Sequence, residues 1–184
     1  MATNQSKPKS LATLVRIYRK KAGLPNYLRH YEQLKSIDDA IRDACLGANG
    51  KVHGHQRRVG RKVLTQASKV LLRHAAEIEA ADCFDELIEC VHNRTGQIDR
   101  FGVLAVYDTS LRLGAFLDRW PEFVYLHAGT MKGAKKLGLD TTAGYLQMGE
   151  LPKTLQSLEP FEVEDFLCIF KDDFVGLDGE RRYC

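Results

Sequence analysis

Apolar residues recur along this chain at intervals of three and four, and short polar or glycine-bearing stretches interrupt them. Leu11, Leu14, Val15 and Tyr18 form one stripe, surrounded by Arg16, Arg19, Lys20 and Lys21, with Ser10 where an N-cap belongs. Gly23-Leu24-Pro25 ends that helix. A second helical stretch from about Asn26 carries Tyr27, Leu28, Tyr31 and Leu34. Ser36 followed by Asp39 restarts a helix with Ile37, Ile41, Ala44 and Cys45, and Ala48-Asn49-Gly50 stops it. Val63, Leu64, Ala67, Val70, Leu71, Ala75 and Ile78 predict one central helix from Lys62 to Ile78, with His74 as a structural or surface residue on it.

Asp82 to Arg94 is the next amphipathic run, with Phe84, Leu87, Ile88 and Val91 facing inward. The turn-rich break TGQIDRFG separates it from a second apolar run, Val103 to Leu117. Near the end, Pro152 and Pro160 punctuate a short helical turn. Pro160 then opens a last helix with Phe161, Phe166, Leu167, Ile169 and Phe170 inward. Strict apolar–polar alternation is nearly absent. The expectation is a mainly α, multi-helix globular domain over residues 10–175, containing a helix-hairpin-helix-like element. Its parts are basic helices at 10–78, a hairpin core at 82–139 and a C-terminal helix at 160–170. A disordered basic tail at 1–9 and a polar tail at 176–184 flank it.

Composition agrees with a folded chain: 44% of its 184 residues are hydrophobic. No stretch approaches the run of apolar residues that spans a membrane, and MATNQSKPKS lacks an apolar signal core. The reading is a cytoplasmic protein without a membrane partner, of undetermined oligomeric state. Five cysteines form an odd set with no C-x-x-C pair, which points to reduced, mostly buried thiols.

Charge changes the picture more. The net charge is +3, yet residues 1–75 carry 16 Lys+Arg against 4 Asp+Glu, and residues 76–184 carry 11 against 20. Such polarisation suits a basic face for polyanions; the plain alternative is that the two halves attract each other. The most basic stretch is GKVHGHQRRVGRK, residues 50–62, to which no helix or strand period fits. Lys51, His53, His55, Arg57, Arg58, Arg61 and Lys62 are candidate phosphate contacts there, or else a solvated loop. His53-x-His55 is half a metal site with no matching cluster, so neither a metal nor a cofactor is expected.

Residues 98–106, I-D-R-F-G-V-L-A-V, resemble a helix-hairpin-helix motif. Ile98 and Phe101 stand at the apolar anchors and Gly102 at the second glycine; Arg100 replaces the first. A sharp hairpin favours the absence of a Cβ at Gly102, and main-chain N–H groups at the following helix start make an anion site with Arg100. VYLHAGTMKGAKKLGL, residues 124–139, resembles the segment after the hairpin in the helix-hairpin-helix DNA glycosylases. The likeness covers residues 82–139. It implies DNA or RNA as partner, with the family's catalytic aspartate position at His127 and its optional lysine at Leu104. A neutral histidine cannot stabilise oxocarbenium-like charge as a carboxylate does, and leucine forms no Schiff base. Glu122 is the alternative carboxylate.

The remaining candidates have two readings each. Asp108 and Arg112 are four apart, an ordinary helical ion pair, or Asp108 joins His127 in a cleft. Tyr107 packs in the core or stacks on an extruded base. His127 is structural, or acts as a general acid/base with a pKa near neutrality. Gly129-Thr130 beside Lys132 forms a second phosphate cradle. Three functions follow. The first is a nucleic-acid-binding, glycosylase-like protein that recognises an extruded or modified base without standard excision. The second is an enzyme on nucleic acid or a nucleotide using His127 with Glu122 or Asp108. The third is an interaction module driven by the charge asymmetry.

Overall fold

The structure, a computed structural model, describes residues 10–21 and 24–174. The tails read at 1–9 and 176–184, with Cys184, lie outside the described residues. In chain order the helices are α1 (Leu11–Lys21), α2 (Leu24–Glu32), α3 (Ile37–Leu46), α4 (Arg61–Arg73) and α5 (Ala75–Glu79). They continue as α6 (Phe84–Thr95), α7 (Val103–Leu117), α8 (Ala128–Lys136) and α9 (Pro160–Phe170). One antiparallel ribbon, β1 (Val124–Tyr125) with β2 (Tyr145–Leu146), pairs Val124 with Leu146. The chain is therefore mainly α. No described helix is long and apolar enough to cross a membrane. The chain divides into two compact units, residues 23–121 and residues 1–22 with 122–184.

In the 23–121 unit, Ser36 caps α3: its backbone is extended and its Oγ accepts the Asp39 N–H at 3.2 Å. The central helix is α7, flanked by α2, α3 and α6. It is buried on every side from Ala105 to Ala115 except at half-buried Asp108, and so includes Thr109, Ser110 and Arg112. The long helix expected at 62–78 is instead two, α4 and α5, each with one buried face. The chain turns at His74, whose φ of −116° and ψ of 22° lie outside the helical region. Glu77 holds that corner, receiving Arg94 Nη2 at 2.6 Å and contacting His74 Nδ1 at 2.9 Å.

The other unit is built on α9. A capping box between Glu159 and Glu162 opens it, with Pro160 in the first turn. Val163, Phe166, Leu167 and Phe170 make its buried stripe, and Tyr18 of α1 meets the Phe166 ring edge-on at 5.8 Å. That stripe turns Ile169 outward, 53% exposed, against the expectation that it faces the core. Helix α8 lies close on α9. A Cβ on Gly133 would stand 2.3 Å from the Leu167 carbonyl oxygen, and one on Gly129 2.6 Å from Cys168 Sγ. Of the described cysteines only Cys45 is fully buried and Cys83 is exposed, so the thiols are less buried than expected.

Candidate nucleic-acid interface

Helices α6 and α7 pack on each other, joined by residues 96–102. Thr95 closes α6 by donating its hydroxyl to Val91 O at 2.6 Å. Ile98 N–H donates to Thr95 O and Phe101 N–H to Ile98 O, drawing both anchor side chains into the core at 7% and 4% exposure. Between them Arg100 adopts φ of 67°, the left-handed conformation in which a side chain costs on the order of 1–2 kcal/mol. Its Nη2 donates to Arg58 O at 2.8 Å, a contact that ties the strained residue down. Gly102, by contrast, is extended, at φ −81° and ψ −179°, and a Cβ there meets nothing within 4 Å. The strained backbone position between α6 and α7 is therefore Arg100, whereas Gly102, where the absence of a Cβ was expected to matter, leaves room for one.

Gly102 is the N-cap of α7, and its carbonyl accepts the Ala105 and Val106 N–H groups. No side chain caps this helix start, and Gly102, Val103 and Leu104 are exposed there. The uncapped Val103 and Leu104 N–H groups and the helix dipole favour an anion at this point. A cleft of about 320 Å³ opens beside it, between Arg58, Val59 and Gln56 on one side and Arg100, Val103 and Asp108 on the other.

The basic stretch reaches the cleft through Arg58. A 3-10 turn spans His55–Arg58, where no helix was expected, and Arg61 then starts α4 after Gly60. Lys51, Arg57, Arg58, Arg61 and Lys62 are all exposed. A shallow hollow of about 530 Å³ runs along α4 past Arg61, Lys62, Thr65, Gln66 and Lys69. The Arg100–Arg58 hydrogen bond thus ties the α6–α7 connection to Arg58 of the basic stretch, 42 residues apart in sequence.

Beneath the cleft is a polar network that sequence reasoning missed. Arg112 is only 3% exposed; its Nη1 donates to Ala44 O at 3.2 Å, and Nη2 lies 3.7 Å from Asp108 Oδ2. The Tyr27 ring covers the guanidinium at 5.9 Å. Gln56, 1% exposed, donates from Nε2 to Ala44 O and to Thr109 Oγ1, while its buried Oε1 accepts nothing. Tyr31 donates to Asp43 O at 3.1 Å, which leaves its oxygen to accept from His53 Nε2 at 2.9 Å. Burial, with the nearby charges of Arg112 and His30, pushes the His53 pKa down to about 4. His53 is therefore a neutral, half-buried partner of Tyr31 rather than a phosphate cation. The side chain of His55 lies outside the described residues. Burial also pushes the Cys45 thiol up to about 12. An i,i+4 Asp–Arg spacing reads as a surface pair in sequence, so nothing in the pattern marked Arg112 as interior.

Other expected site residues are placed differently. Tyr107 is 1% exposed with its ring edge-on to Phe84 at 6.1 Å; it packs the core and offers no stacking face. His127 begins α8 half-buried, and burial lowers its pKa to about 4, so it is not the near-neutral acid/base expected. Glu122 is exposed in the same unit as His127, while Asp108 belongs to the other. Thr130 is fully buried and donates to Glu164 Oε1 at 2.7 Å, and Gly129 lies under Cys168, so the second phosphate cradle is closed. Lys132 is exposed but bonds Asp172 at 2.9 Å, as Lys136 does at 3.1 Å. These bonds hold the Asp172 pKa near 2.

The charge division between sequence halves does not carry over to the two units. Residues 23–121 hold 14 Lys+Arg and 13 Asp+Glu, so the basic character of the cleft rim is local. No known protein family, curated protein or solved structure matches the chain.

Proposed function

We propose that the 23–121 unit binds nucleic acid, DNA foremost, at the start of α7, as a glycosylase-like protein that grips the backbone without standard base excision. The observation that carries this is the Arg100–Arg58 bond, which sets an uncapped, exposed helix start beside Arg58, whose chain neighbours Arg57, Arg61 and Lys62 are also exposed. Free N–H groups, a helix dipole and planar guanidinium forks are three donors of the kind a phosphodiester takes. The left-handed Arg100, at the position where the resembling motif carries its first glycine, also supports the hairpin reading. Excision is set aside because His127, at the family's carboxylate position, is neutral at neutral pH.

The test is fluorescence anisotropy with labelled single-stranded and duplex oligonucleotides across a salt series. Affinity is expected to fall linearly on log–log axes, with a slope set by the phosphates engaged. Replacing Arg57 and Arg58 together by Ala should lower that slope by about 2. Binding that ignores salt, or no binding at roughly 50 mM salt, removes the proposal.

A further inference from the structure

Resting on that nucleic-acid reading, we propose that the bound strand continues past the cleft along the outer face of α4, which serves as a track for its successive phosphates. Between Asp43 and Glu77 the chain holds seven Lys and Arg and no Asp or Glu. Four of those cations, Arg61, Lys62, Lys69 and Arg73, are exposed on α4. At about 3.6 residues per turn they fall within about a third of the helix circumference, clear of the buried stripe of Leu64, Ala67, Ser68 and Leu71. The face therefore carries one sign of charge over about 18 Å of helix axis. Three of the four line the shallow hollow along α4, together with Thr65 and Gln66, whose hydroxyl and amide can also donate.

This face works against the helix that carries it. Arg61 and Lys62 stand in the first turn, which holds no acid, where the helix dipole favours negative charge. Lys69 and Arg73 are like charges four residues apart. On α3, which packs on α4, Asp38 and Asp39 pair with Arg42, and Asp43 with His30. Glu77, just beyond α4, takes Arg94. Among the described residues Lys62, Lys69 and Arg73 join no ion pair. A bound polyanion would supply the missing counter-charge, so a local rule of folding is broken where a ligand would repair it. The form of the face selects among polyanions. An anionic membrane takes a helix by exposed apolar residues as well as cations. Among the described residues the exposed large hydrophobic side chains are Val103, Leu104, Tyr145 and Ile169, none of them on α4. A row of cations interleaved with neutral donors suits a linear sugar-phosphate backbone. Arg58 lines the cleft and Arg61 the hollow, so the chain passes from one to the other within about 11 Å.

The experiment is fluorescence anisotropy across a salt series with labelled dT strands of about four and about twelve nucleotides and a duplex of the longer length. Phosphatidylserine vesicles are run alongside. The longer ligand should show a log–log slope steeper by about 2 to 3, at about 0.7 per phosphate on a single strand or 0.9 on a duplex. Whichever longer ligand shows it is the form bound. Lys69→Gln combined with Arg73→Gln, both at exposed positions, should lower that slope by about 1.4 to 1.8. Lys35→Gln, at an exposed cation of the same unit outside α4, should leave it unchanged. A slope untouched by the α4 pair, while Arg57→Ala with Arg58→Ala still lowers it, overturns the track and leaves binding at α7 standing. An equal loss per charge in Lys35→Gln also overturns it, because the attraction is then to net charge alone. Vesicles bound as tightly as the strands overturn the assignment to nucleic acid. No binding of any strand at low salt removes both proposals together.

Discussion

Two helices of this protein begin alike in sequence and differently in structure. Helix α7 begins after Gly102, and α8 begins at His127 with Gly129 close behind; neither start has a side-chain cap. At α7 the glycine is extended and open, and its surroundings are exposed. At α8 the glycine marks the approach of another helix, because a Cβ would collide with Cys168. Thr130, which would otherwise offer a hydroxyl, is turned inward to Glu164. A glycine at a helix start therefore has two physical meanings, room for a ligand or room for a neighbour. Only the packing of the rest of the chain decides between them.

Disturbing what supports each helix start should have the largest effects. Under α7 the support is polar: Arg112→Ala should destabilise the protein by about 3–5 kcal/mol, because Asp108 loses its buried counter-charge. Under α8 it is steric: Gly133→Val should cost about 1–3 kcal/mol or more, since the Leu167 carbonyl already stands where the new Cβ would go. Urea denaturation midpoints measure both. A Gly133→Val protein as stable as wild type would show that α8 is not held against α9 as described.

The two histidines sharpen the same contrast by titration. His127 and His53 both have folded pKa values near 4 against an ordinary 6.5, so both fold neutral. Between those values the unfolded chain binds protons that the folded chain does not. Stability is thus fully present above about pH 6.5 and is lost as pH falls toward 4, by on the order of 1–3 kcal/mol per residue. His127→Gln should flatten part of that slope in urea titrations across the interval. Were α8's start an open anion site, bound phosphate would raise the His127 pKa instead. A slope unchanged in His127→Gln would count against its burial.

How much of this was legible in the chain follows from the same physics. The stripe of Leu11, Leu14, Val15 and Tyr18 is fully buried, as its spacing implied, and Ile98 and Phe101 are buried too. The helix starts at Ser36 and Pro160 were legible because an N-cap and a first-turn proline act locally. Local pattern failed where tertiary contacts decide. Helical periodicity runs unbroken through His74, yet the chain turns there, with Glu77 clasped from a distant helix by Arg94. Gln56 sits in a stretch of charged residues and reads as solvent-facing, although it is among the most buried polar side chains. Arg112 hides because an ion pair four residues apart looks the same on a surface as in a core.

The smallest expected effect is the most telling, because it separates folding from binding at a single position. Gly102 is the N-cap of α7 at dihedrals any residue adopts, with open space where a Cβ would go. Asp is a better N-cap than Gly by a few tenths of a kcal/mol, and its charge complements the helix dipole. Gly102→Asp should therefore raise stability slightly while satisfying the N–H groups and placing a negative charge where a phosphate would sit. The same substitution should weaken oligonucleotide binding by about tenfold, a loss of about 1.4 kcal/mol of binding free energy. Stability and affinity moving in opposite directions identify α7's start as a ligand site. If both fall together, the substitution has damaged the hairpin, and Gly102 is held by packing as Gly129 is. If stability rises and affinity stays unchanged, the anion is bound elsewhere on the basic stretch, and the cleft has no part in it.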